Sequence, residues 1–259
     1  MNNVNKTLYI PLYSKAFVSE RGLFIKDEKA ENIWKSEGFP LKGKAKSKWL
    51  AYYLGIRARV FDDWAAARAK ENPSAAVIHI GCGLDSRVKR LNEVENMWYD
   101  VDFPEVIGER RRFFKESDRY RMIEGDANDP VWLKDIKESS AIVIMEGVSM
   151  YIPENSLIKL FSALAEHFES VTLLMDCYSL FAAKMSKYKN PINTVGVTET
   201  FGVDEPKKFE VGGFSYSCEG EMTPKKYVDE LSGIEKKIFS KLYAGKTAKK
   251  LYRLYEYKK

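Results

Sequence analysis

Acidic residues follow four strand-like segments of this chain, and a pair of glycines follows another. A glycine pair after a strand lets backbone approach a ligand closely, because glycine has no side chain and tolerates left-handed torsion angles. Carboxylates bind cations and accept hydrogen bonds from hydroxyl groups. The residues concerned are Gly81 and Gly83 after VIHI, Asp100 and Asp102 in MWYDVD, Asp126 after RYRMIEG, Glu146 after AIVIM and Asp176 in VTLLMDC.

The glycine pair alone does not identify a ligand. A dinucleotide site is typically G-x-G-x-x-G, and here the third glycine position holds Ser86; a Gly-Lys-Ser/Thr phosphate loop is absent. A pyrophosphate would also meet carboxylates, and like charges repel. A sulfonium with an α-ammonium group brings positive charge instead. The pattern therefore favours S-adenosylmethionine, with a nucleotide-dependent oxidoreductase and a catalytically silent scaffold as the alternatives.

The candidate residues differ in how well a purely structural role explains them. Glu146 directly follows the apolar run AIVIM, and a half-buried carboxylate needs a partner, so we interpret it as functional. Asp126 opens DANDP and is equally well explained as a turn residue. His79 and His167 are better explained as structural. The sequence shows no metal-ligand spacing of histidines, and we predict that no metal is needed.

The elements that position these residues alternate between strands and helices. Strand candidates begin near residues 75, 97, 119, 141 and 171, and PENSLIKLFSALAEHF has one apolar face at helical spacing. This order predicts an α/β fold with a mostly parallel sheet and helices on both faces. Carboxyl ends of parallel strands share one edge, so the acids and glycines should meet there.

The remaining segments suggest a division into two parts. Residues 1–72 look helical up to Asn72-Pro73, with helices after Asp27 and over KSKWLAYYLGIRARVFDDWAAARAKEN, and we predict an N-terminal helical cap there. Residues 73–259 would form the core. Within it, residues 178–208 look like an irregular insertion on the substrate side, followed by strands GGFSYSCEG and LYRLYEYKK around a helix in TPKKYVDELSG.

Composition limits the function classes. The 259 residues are 45% apolar, with 42 basic and 37 acidic residues and a net charge of +5, which excludes a disordered chain. We read no signal peptide and no run of about 18 apolar residues. Three widely spaced cysteines suit free thiols in a reducing cytoplasm. We expect a small-molecule partner, and neither nucleic acid nor a membrane; the oligomeric state stays open.

Six stretches together resemble a known family. In the family's order they are GIRARVFDD (55–63), VIHIGCGLDSR (77–87), WYDVDFPEVI (98–107), EGDANDPVW (124–132), IMEGVSMYIPE (144–154) and FGVDEPKKFE (201–210). The chain resembles the leucine carboxyl methyltransferase family, in particular its bacterial branch of polyketide O-methyltransferases. The resemblance covers most of the chain and implies a class I methyltransferase fold with an N-terminal helical cap.

The resemblance also implies roles for individual residues. It places Arg59 on the carboxylate of the S-adenosylmethionine cofactor and Glu146 on its ammonium group. Asp102 would bind the ribose, with Asp100 as a lesser candidate. The other expected cofactor contacts are Gly81 and Gly83 beside the methionine and ribose, and Asp126 and Ala127 beside the adenine.

The methyl acceptor is less well defined. Candidate acceptor contacts are Tyr13 and Arg57 in the cap and Tyr151 after the fourth strand. No catalytic base stands out, which favours a carboxylate or acidic hydroxyl that ionises without help. Tyr, Asp or Lys side chains can also accept protons, so the base stays open.

Overall fold

The computed structural model describes residues 5–37, 41, 43–189 and 199–259. Its centre is a seven-stranded sheet with strand order β3-β2-β1-β4-β5-β7-β6. Strands β1 to β5 run parallel, and β7 runs antiparallel to both of its neighbours. The strands are β1 (Ala76–Ile80), β2 (Trp98–Asp102), β3 (Tyr120–Glu124), β4 (Ser140–Met145), β5 (Ser170–Tyr178), β6 (Ser215–Gly220) and β7 (Tyr252–Lys258).

Helices cover both faces of the sheet because the central strands are apolar on both sides. In β4, Val143 and Met145 belong to one hydrophobic cluster and Ile142 and Ile144 to another. Successive strand residues point to opposite faces, so a continuous apolar run requires cover on each. The helices are α1 (Tyr9–Ser19), α2 (Glu28–Glu37), α3 (Lys48–Glu71), α4 (Arg87–Arg90), α5 (Pro104–Arg110), α6 (Glu154–His167), α7 (Leu180–Lys189), α8 (Lys225–Val228), α9 (Gly233–Leu242) and α10 (Lys246–Leu251).

The expected α/β architecture is confirmed. Each of the first five strands begins within one residue of its expected start, and the aromatic C-terminal segment forms β7 inside the sheet. Helix α3 ends at Glu71, two residues before Pro73, as a residue preceding proline avoids the helical region. Helices α1 to α3 pack against the sheet, and their standing as a separate cap remains a prediction.

For the later part of the chain, one expectation is wrong and another holds only in part. Residues 178–208 are not irregular throughout, since α7 occupies Leu180–Lys189; residues 190–198 lie outside the described residues. The segment TPKKYVDELSG forms only the short helix α8, and the longer helices α9 and α10 follow it.

The topology defines where a ligand should bind. The strand order reverses between β1 and β4, which are neighbours although two strands separate them in sequence. In open α/β sheets, ligands bind at such a switch point, outside the carboxyl ends of the strands. Gly81 follows β1 there, and Glu146 follows β4.

Candidate functional site

A large cavity lies at this switch point. Its volume is about 950 Å³, which is at the upper end of the range of about 300–1,000 Å³ for small-molecule sites. Residues after β1, β2, β3 and β4 form its floor, and α1, α3, α7 and α10 contribute to its walls. The cavity therefore has room for a cofactor and a second molecule.

The turn after β1 brings backbone to the cavity wall. Gly81 and Gly83 both adopt left-handed torsion angles, with φ of 69° and 52°. A Cβ atom on Gly81 would lie 2.6 Å from a methyl carbon of Val148. Glycine is therefore required at position 81 on two grounds, backbone conformation and space.

Asp102 is an acceptor that forms no direct ion pair within the part of the chain that the structure describes. Its carboxylate accepts hydrogen bonds from the backbone N–H groups of Gly83 and Phe103, each at 2.8 Å. Burial raises its pKa to about 6, although these two hydrogen bonds oppose the shift. A carboxylate offers about four lone-pair sites, so acceptor capacity remains for hydroxyl groups of a ligand in the cavity.

The loop after β3 lines the same side of the cavity. Asp126 accepts hydrogen bonds from the backbone and side-chain nitrogens of Asn128, both at 2.8 Å, and its own carbonyl accepts one from Trp132. Ala127 and Phe103 add apolar surface to the lining. Asp126 thus stabilises this loop and also lines the cavity, so the structural role and the position at the binding site that the sequence suggested are both present.

Glu146 lies in a cluster of buried charges. Its Oε1 accepts a hydrogen bond from Arg57 Nε at 3.0 Å and lies 3.7 Å from Lys15 Nζ, while its Oε2 pairs with Arg87. Burial alone would raise the pKa of Glu146, but Lys15, Arg87 and Arg57 together hold it well below its usual value. Glu146 is consequently ionised at neutral pH.

Two further carboxylates balance the cations of this cluster. Asp85 lies 3.0 Å from Lys15 Nζ, and Asp176 accepts a hydrogen bond from Arg57 Nη1 at 3.0 Å. The cluster extends further, because Arg87 also pairs with Asp62 and Arg90 pairs with Asp85. Its members Lys15, Arg57, Asp85 and Glu146 reach the cavity. A lining that presents both signs of charge side by side fits a zwitterionic group such as the amino-acid end of S-adenosylmethionine.

The other half of the cavity is aromatic and apolar. The ring of Tyr252 lies 5.0 Å from that of Tyr178 and 6.1 Å from that of Tyr53. The Tyr252 hydroxyl donates to Asp176 and accepts a hydrogen bond from Arg57 Nη1 at 2.8 Å. This half is lined by Ile10, Pro11, Leu50, Tyr53, Leu54, Tyr151, Tyr178, Phe181, Met185, Leu242 and Tyr252.

His79 borders the cavity but is not a free base. Burial lowers its pKa, so the imidazole is neutral at neutral pH. Its Nε2 lies 3.1 Å from Arg87 Nη1, which can only donate, so the Nε2 lone pair is in use. The structural role expected for His79 therefore agrees with its contacts.

The structure corrects the expectations for three residues. Arg59 pairs with Asp63 at 2.8 Å and is 43% exposed, outside the cavity, because two helical positions rotate a side chain by about 200° from Arg57. Asp100 is fully buried, where it accepts hydrogen bonds from Arg110, Tyr120 and Trp98.

Tyr13 also lies outside the cavity. Its ring packs 5.0 Å from that of Trp34 within an apolar cluster of α1 and α3, and its hydroxyl donates to the carbonyl oxygen of Lys46 at 3.4 Å. The other expected site residues border the cavity: Arg57, Gly81, Gly83, Asp102, Asp126, Ala127, Glu146 and Tyr151.

Sequence reasoning missed several residues of the site. Arg87 belongs to the motif VIHIGCGLDSR, but its residue type and position in the sequence do not predict that it pairs with Glu146. Tyr53, Tyr178 and Tyr252 come from three separate elements, so only the fold brings them together. Among the described residues, no group of three or more His, Cys, Asp and Glu side chains could hold a metal ion.

The sheet topology and the cavity define a class I S-adenosylmethionine-dependent methyltransferase. The chain belongs to the leucine carboxyl methyltransferase family, whose model matches residues 3–165. Within the described residues, no helix is long and apolar enough to span a bilayer.

Two curated relatives support this membership. The tetracenomycin polyketide synthesis O-methyltransferase of Streptomyces glaucescens is 29% identical over 185 residues, which are 70% of this chain and 68% of that protein. An S-adenosyl-L-methionine-dependent methyltransferase of Gibberella zeae is 27% identical over 191 residues, 67% of this chain and 64% of that protein. The matches thus span about two thirds of each relative.

Solved structures show the same fold at low identity. The magnesium protoporphyrin IX methyltransferase of Synechocystis PCC 6803, solved with bound SAH, has a TM-score of 0.53 at 14% identity, over 90% of this chain and 93% of that one. An S-adenosylmethionine-dependent methyltransferase of Anabaena variabilis has a TM-score of 0.51 at 15% identity, over 73% of this chain and 80% of that one.

Proposed function

We propose that this methyltransferase methylates an oxygen atom of a small, largely apolar molecule, either a carboxylate or an acidic hydroxyl. The division of one cavity into a charged half and an aromatic half carries the proposal. The charged half suits the cofactor, and the aromatic half suits the acceptor. The name of the Streptomyces relative, an O-methyltransferase of polyketide synthesis, supports the same acceptor chemistry.

The residues of the charged half would hold the cofactor at its polar groups. We assign the ribose hydroxyls to Asp102, the ammonium group to Glu146 and the methionine carboxylate to Lys15 and Arg57. Gly81 and Gly83, which have no side chains, leave room for the methionine part and the ribose of the cofactor, and Asp126 and Ala127 border the adenine. When bound, S-adenosylmethionine supplies an electrophilic methyl group on a positively charged sulfur.

The protein's contribution to the transfer is alignment and exclusion of water. Holding two reacting groups in line can contribute about 7–11 kcal/mol to lowering a barrier. The tyrosines and aliphatic side chains of the aromatic half would orient a flat acceptor and keep water out. Tyr252 is fixed by Asp176 and Arg57, so its ring offers a rigid surface.

The acceptor class follows from the proton-accepting groups that this half offers. Burial raises the pKa values of Tyr53, Tyr151 and Tyr252, so these phenols stay protonated near neutral pH. Asp176 is occupied by Gly147, Arg57 and Tyr252. An acceptor that is already ionised at neutral pH needs none of these groups as a base.

A methyl-transfer screen tests the proposal. Purified protein is incubated with methyl-labelled S-adenosylmethionine and four matched sets of aromatic compounds that carry a carboxylate, a phenol, an amine or a thiol. We expect label in the carboxylates or in the more acidic phenols. Transfer confined to amines or thiols would contradict O-methylation, and no transfer despite cofactor binding would favour the silent scaffold.

The cellular location is part of the same proposal. The three cysteines are free, two of them buried, and free thiols support a reducing compartment such as the cytoplasm.

A further inference from the structure

Exposed apolar side chains concentrate on two helices beside the cavity. Monomeric proteins rarely expose large contiguous apolar patches without a binding role. In the described part of the chain, six of the eight exposed large apolar side chains lie on α7 and α9. We call these six residues the lip: Leu180 (57% exposed), Phe181 (64%), Met185 (50%), Ile234 (74%), Ile238 (36%) and Leu242 (59%).

Helix α9 carries a complete apolar stripe on its outer face. Ile234, Ile238 and Leu242 are spaced four residues apart and therefore lie on one side of the helix. Phe239 is fully buried on another side and holds the helix against the protein. An amphipathic helix normally turns its apolar face to the core, so this stripe faces outward for another reason.

The lip borders the opening of the cavity. Phe181, Met185 and Leu242 line the cavity, and each is also at least half exposed. A surface that covers the lip would therefore cover the entrance to the aromatic half.

Lysines are concentrated on α9, which carries half of the lip, and on α10, which follows it in the chain. Residues 233–251 contain six lysines and one glutamate, a net charge of +5 that equals the net charge of the whole chain. Glu235 is neutralised by Lys48 at 2.7 Å. With the residues that the structure describes, four of these lysines form no ion pair and stay exposed: Lys237, Lys241, Lys246 and Lys250.

We propose that the lip docks on an anionic membrane surface. Outward aliphatic side chains among unpaired lysines are the pattern of helices that lie at the boundary of headgroups and acyl chains. The same lysines would repel a second copy of this face, and nucleic acid offers nothing for Ile234 or Ile238 to enter. Docking brings the cavity opening to the acyl layer, from which an apolar acceptor can enter.

A membrane partner is contrary to the expectation from the sequence that the chain has none. A protein that docks on a membrane surface needs no helix that spans the membrane. Three apolar residues spaced four apart indicate such docking only once the structure shows that they face outward. The docking does not depend on the identity of the acceptor, and its test measures binding alone.

Vesicle sedimentation tests the proposal. The full chain is mixed with vesicles of phosphatidylcholine alone or with one third phosphatidylglycerol, at low salt and at 0.5 M salt. The test variant is Ile234→Asp/Lys237→Glu. The matched control is Val131→Asp/Lys134→Glu, the same substitutions at the same spacing on a different exposed surface, where Val131 is 64% exposed. Circular dichroism and S-adenosylhomocysteine binding report whether each variant is folded.

We expect binding to the anionic vesicles only, weakened by salt because the attraction is screened. Each charge near the surface changes affinity by about fivefold, so the charge reversal alone should weaken binding by about 25-fold, with a further loss from Ile234. The control should bind like the unmodified chain. Equal loss in both variants, or no binding to anionic vesicles at low salt, overturns the proposal. Self-association that the test variant abolishes would also overturn it and assign the lip to a second copy.

Discussion

At the scale of single residues, we expect Asp102 to make cofactor binding sensitive to pH. Burial raises its pKa to about 6, although two backbone hydrogen bonds and the nearby charge of Arg110 oppose the shift. Ribose hydroxyls donate to the ionised carboxylate better than to the neutral acid. Affinity for S-adenosylhomocysteine should therefore rise as the pH rises through 6. It should be about tenfold weaker at pH 5 than at pH 7, because only roughly a tenth of Asp102 is ionised at pH 5.

Calorimetric titration across this range measures the effect, with Asp102→Asn as the control that should bind more weakly and lose the pH dependence. Affinity of the unmodified chain that is constant from pH 5 to pH 7 would contradict the prediction. The contribution of Asp102 to the free energy of unfolding depends on pH in the opposite direction. A carboxyl whose pKa is higher in the folded protein stabilises it below about pH 4, and that contribution disappears as pH rises through 6.

Glu146 and Asp102 should act on different parts of the cofactor. Glu146 lies among Lys15, Arg57 and Arg87 in the charged half, and we assign it to the ammonium group. Glu146→Gln should then weaken S-adenosylhomocysteine but not methylthioadenosine, which lacks the amino-acid end. Asp102→Asn should weaken both ligands by about one to two decades, since a hydrogen bond to a charged group contributes about 1.5–3 kcal/mol.

The control for this comparison is Asp129→Asn. Asp129 lies outside the cavity, where it pairs with Lys159 at 3.1 Å on the surface, so both affinities should be unchanged. Glu146→Gln also removes a carboxylate that three buried cations share, although each of these cations keeps at least one other carboxylate partner. We expect the free energy of unfolding to fall by up to about 3–5 kcal/mol, the cost of breaking a buried ion pair. Titrations are therefore made well below its melting temperature. Equal loss of both ligands in Glu146→Gln would refute the assignment of the ammonium group.

At the scale of elements, the turn after β1 should tolerate no side chain. Gly81→Ala combines a left-handed torsion angle with a contact of 2.6 Å to Val148. Such strain costs about 1–3 kcal/mol, and displacing Val148 would deform the cavity wall. Gly108→Ala in α5 is the matched control, since a Cβ there meets nothing within 4 Å and alanine favours a helix by about 1 kcal/mol.

Chemical denaturation of the two variants measures this contrast. We expect Gly81→Ala to unfold at lower denaturant and to bind S-adenosylhomocysteine more weakly, and Gly108→Ala to unfold at the same or higher denaturant. A Gly81→Ala protein as stable as the original would show that Val148 moves aside freely and that the turn is not rigid.

The elements also show how far the sequence could be interpreted. The first five strands were predictable because short segments rich in apolar residues end at glycine or acid. Arg57 and Arg59 could not be told apart, because α3 is buried on two sides: Phe61 and Ala65 face one hydrophobic cluster, and Tyr52 and Ile56 face another. Because a helix with two apolar faces does not show which side meets the cavity, the resemblance pointed to Arg59, which lies outside the cavity, and not to Arg57, which lines it.

Helices α9 and α10 were missed for a different reason. Their lysines interrupt the apolar periodicity, and three apolar residues of α9, Ile234, Ile238 and Leu242, face outward rather than towards a core. Strand acids were similarly overinterpreted as a negatively charged rim. Asp100 is fully buried against Arg110 of α5, the next helix along the chain, and Asp176 is fully buried against Arg57 of α3, which is far away in sequence. The spacing of residues within one segment does not predict ion pairs between different segments of the chain.

At the scale of the whole molecule, the charged half of the cavity is also a junction between segments. Lys15 of α1 and Arg57 of α3 both reach Glu146 after β4, and Arg87 of α4 pairs with Asp62 of α3 at 2.6 Å. A cofactor that binds these groups would contact the helices of the first 72 residues and the sheet at once. Binding should therefore stabilise the chain as one unit.

A thermal-shift experiment checks this stabilisation. A ligand at 100 times its dissociation constant adds about 2.7 kcal/mol, and a chain of this size gains roughly 2–4 °C per kcal/mol, which predicts a rise of roughly 5–11 °C in melting temperature. S-adenosylmethionine and S-adenosylhomocysteine should each produce it in a single transition, while NAD and ATP should not. Their phosphates would meet Asp102 and Asp126 without a phosphate-binding loop. A rise in melting temperature with NAD alone would support the oxidoreductase alternative. Two separate transitions would show that the N-terminal helices and the sheet unfold independently, if the ligand raises the temperature of only one of them.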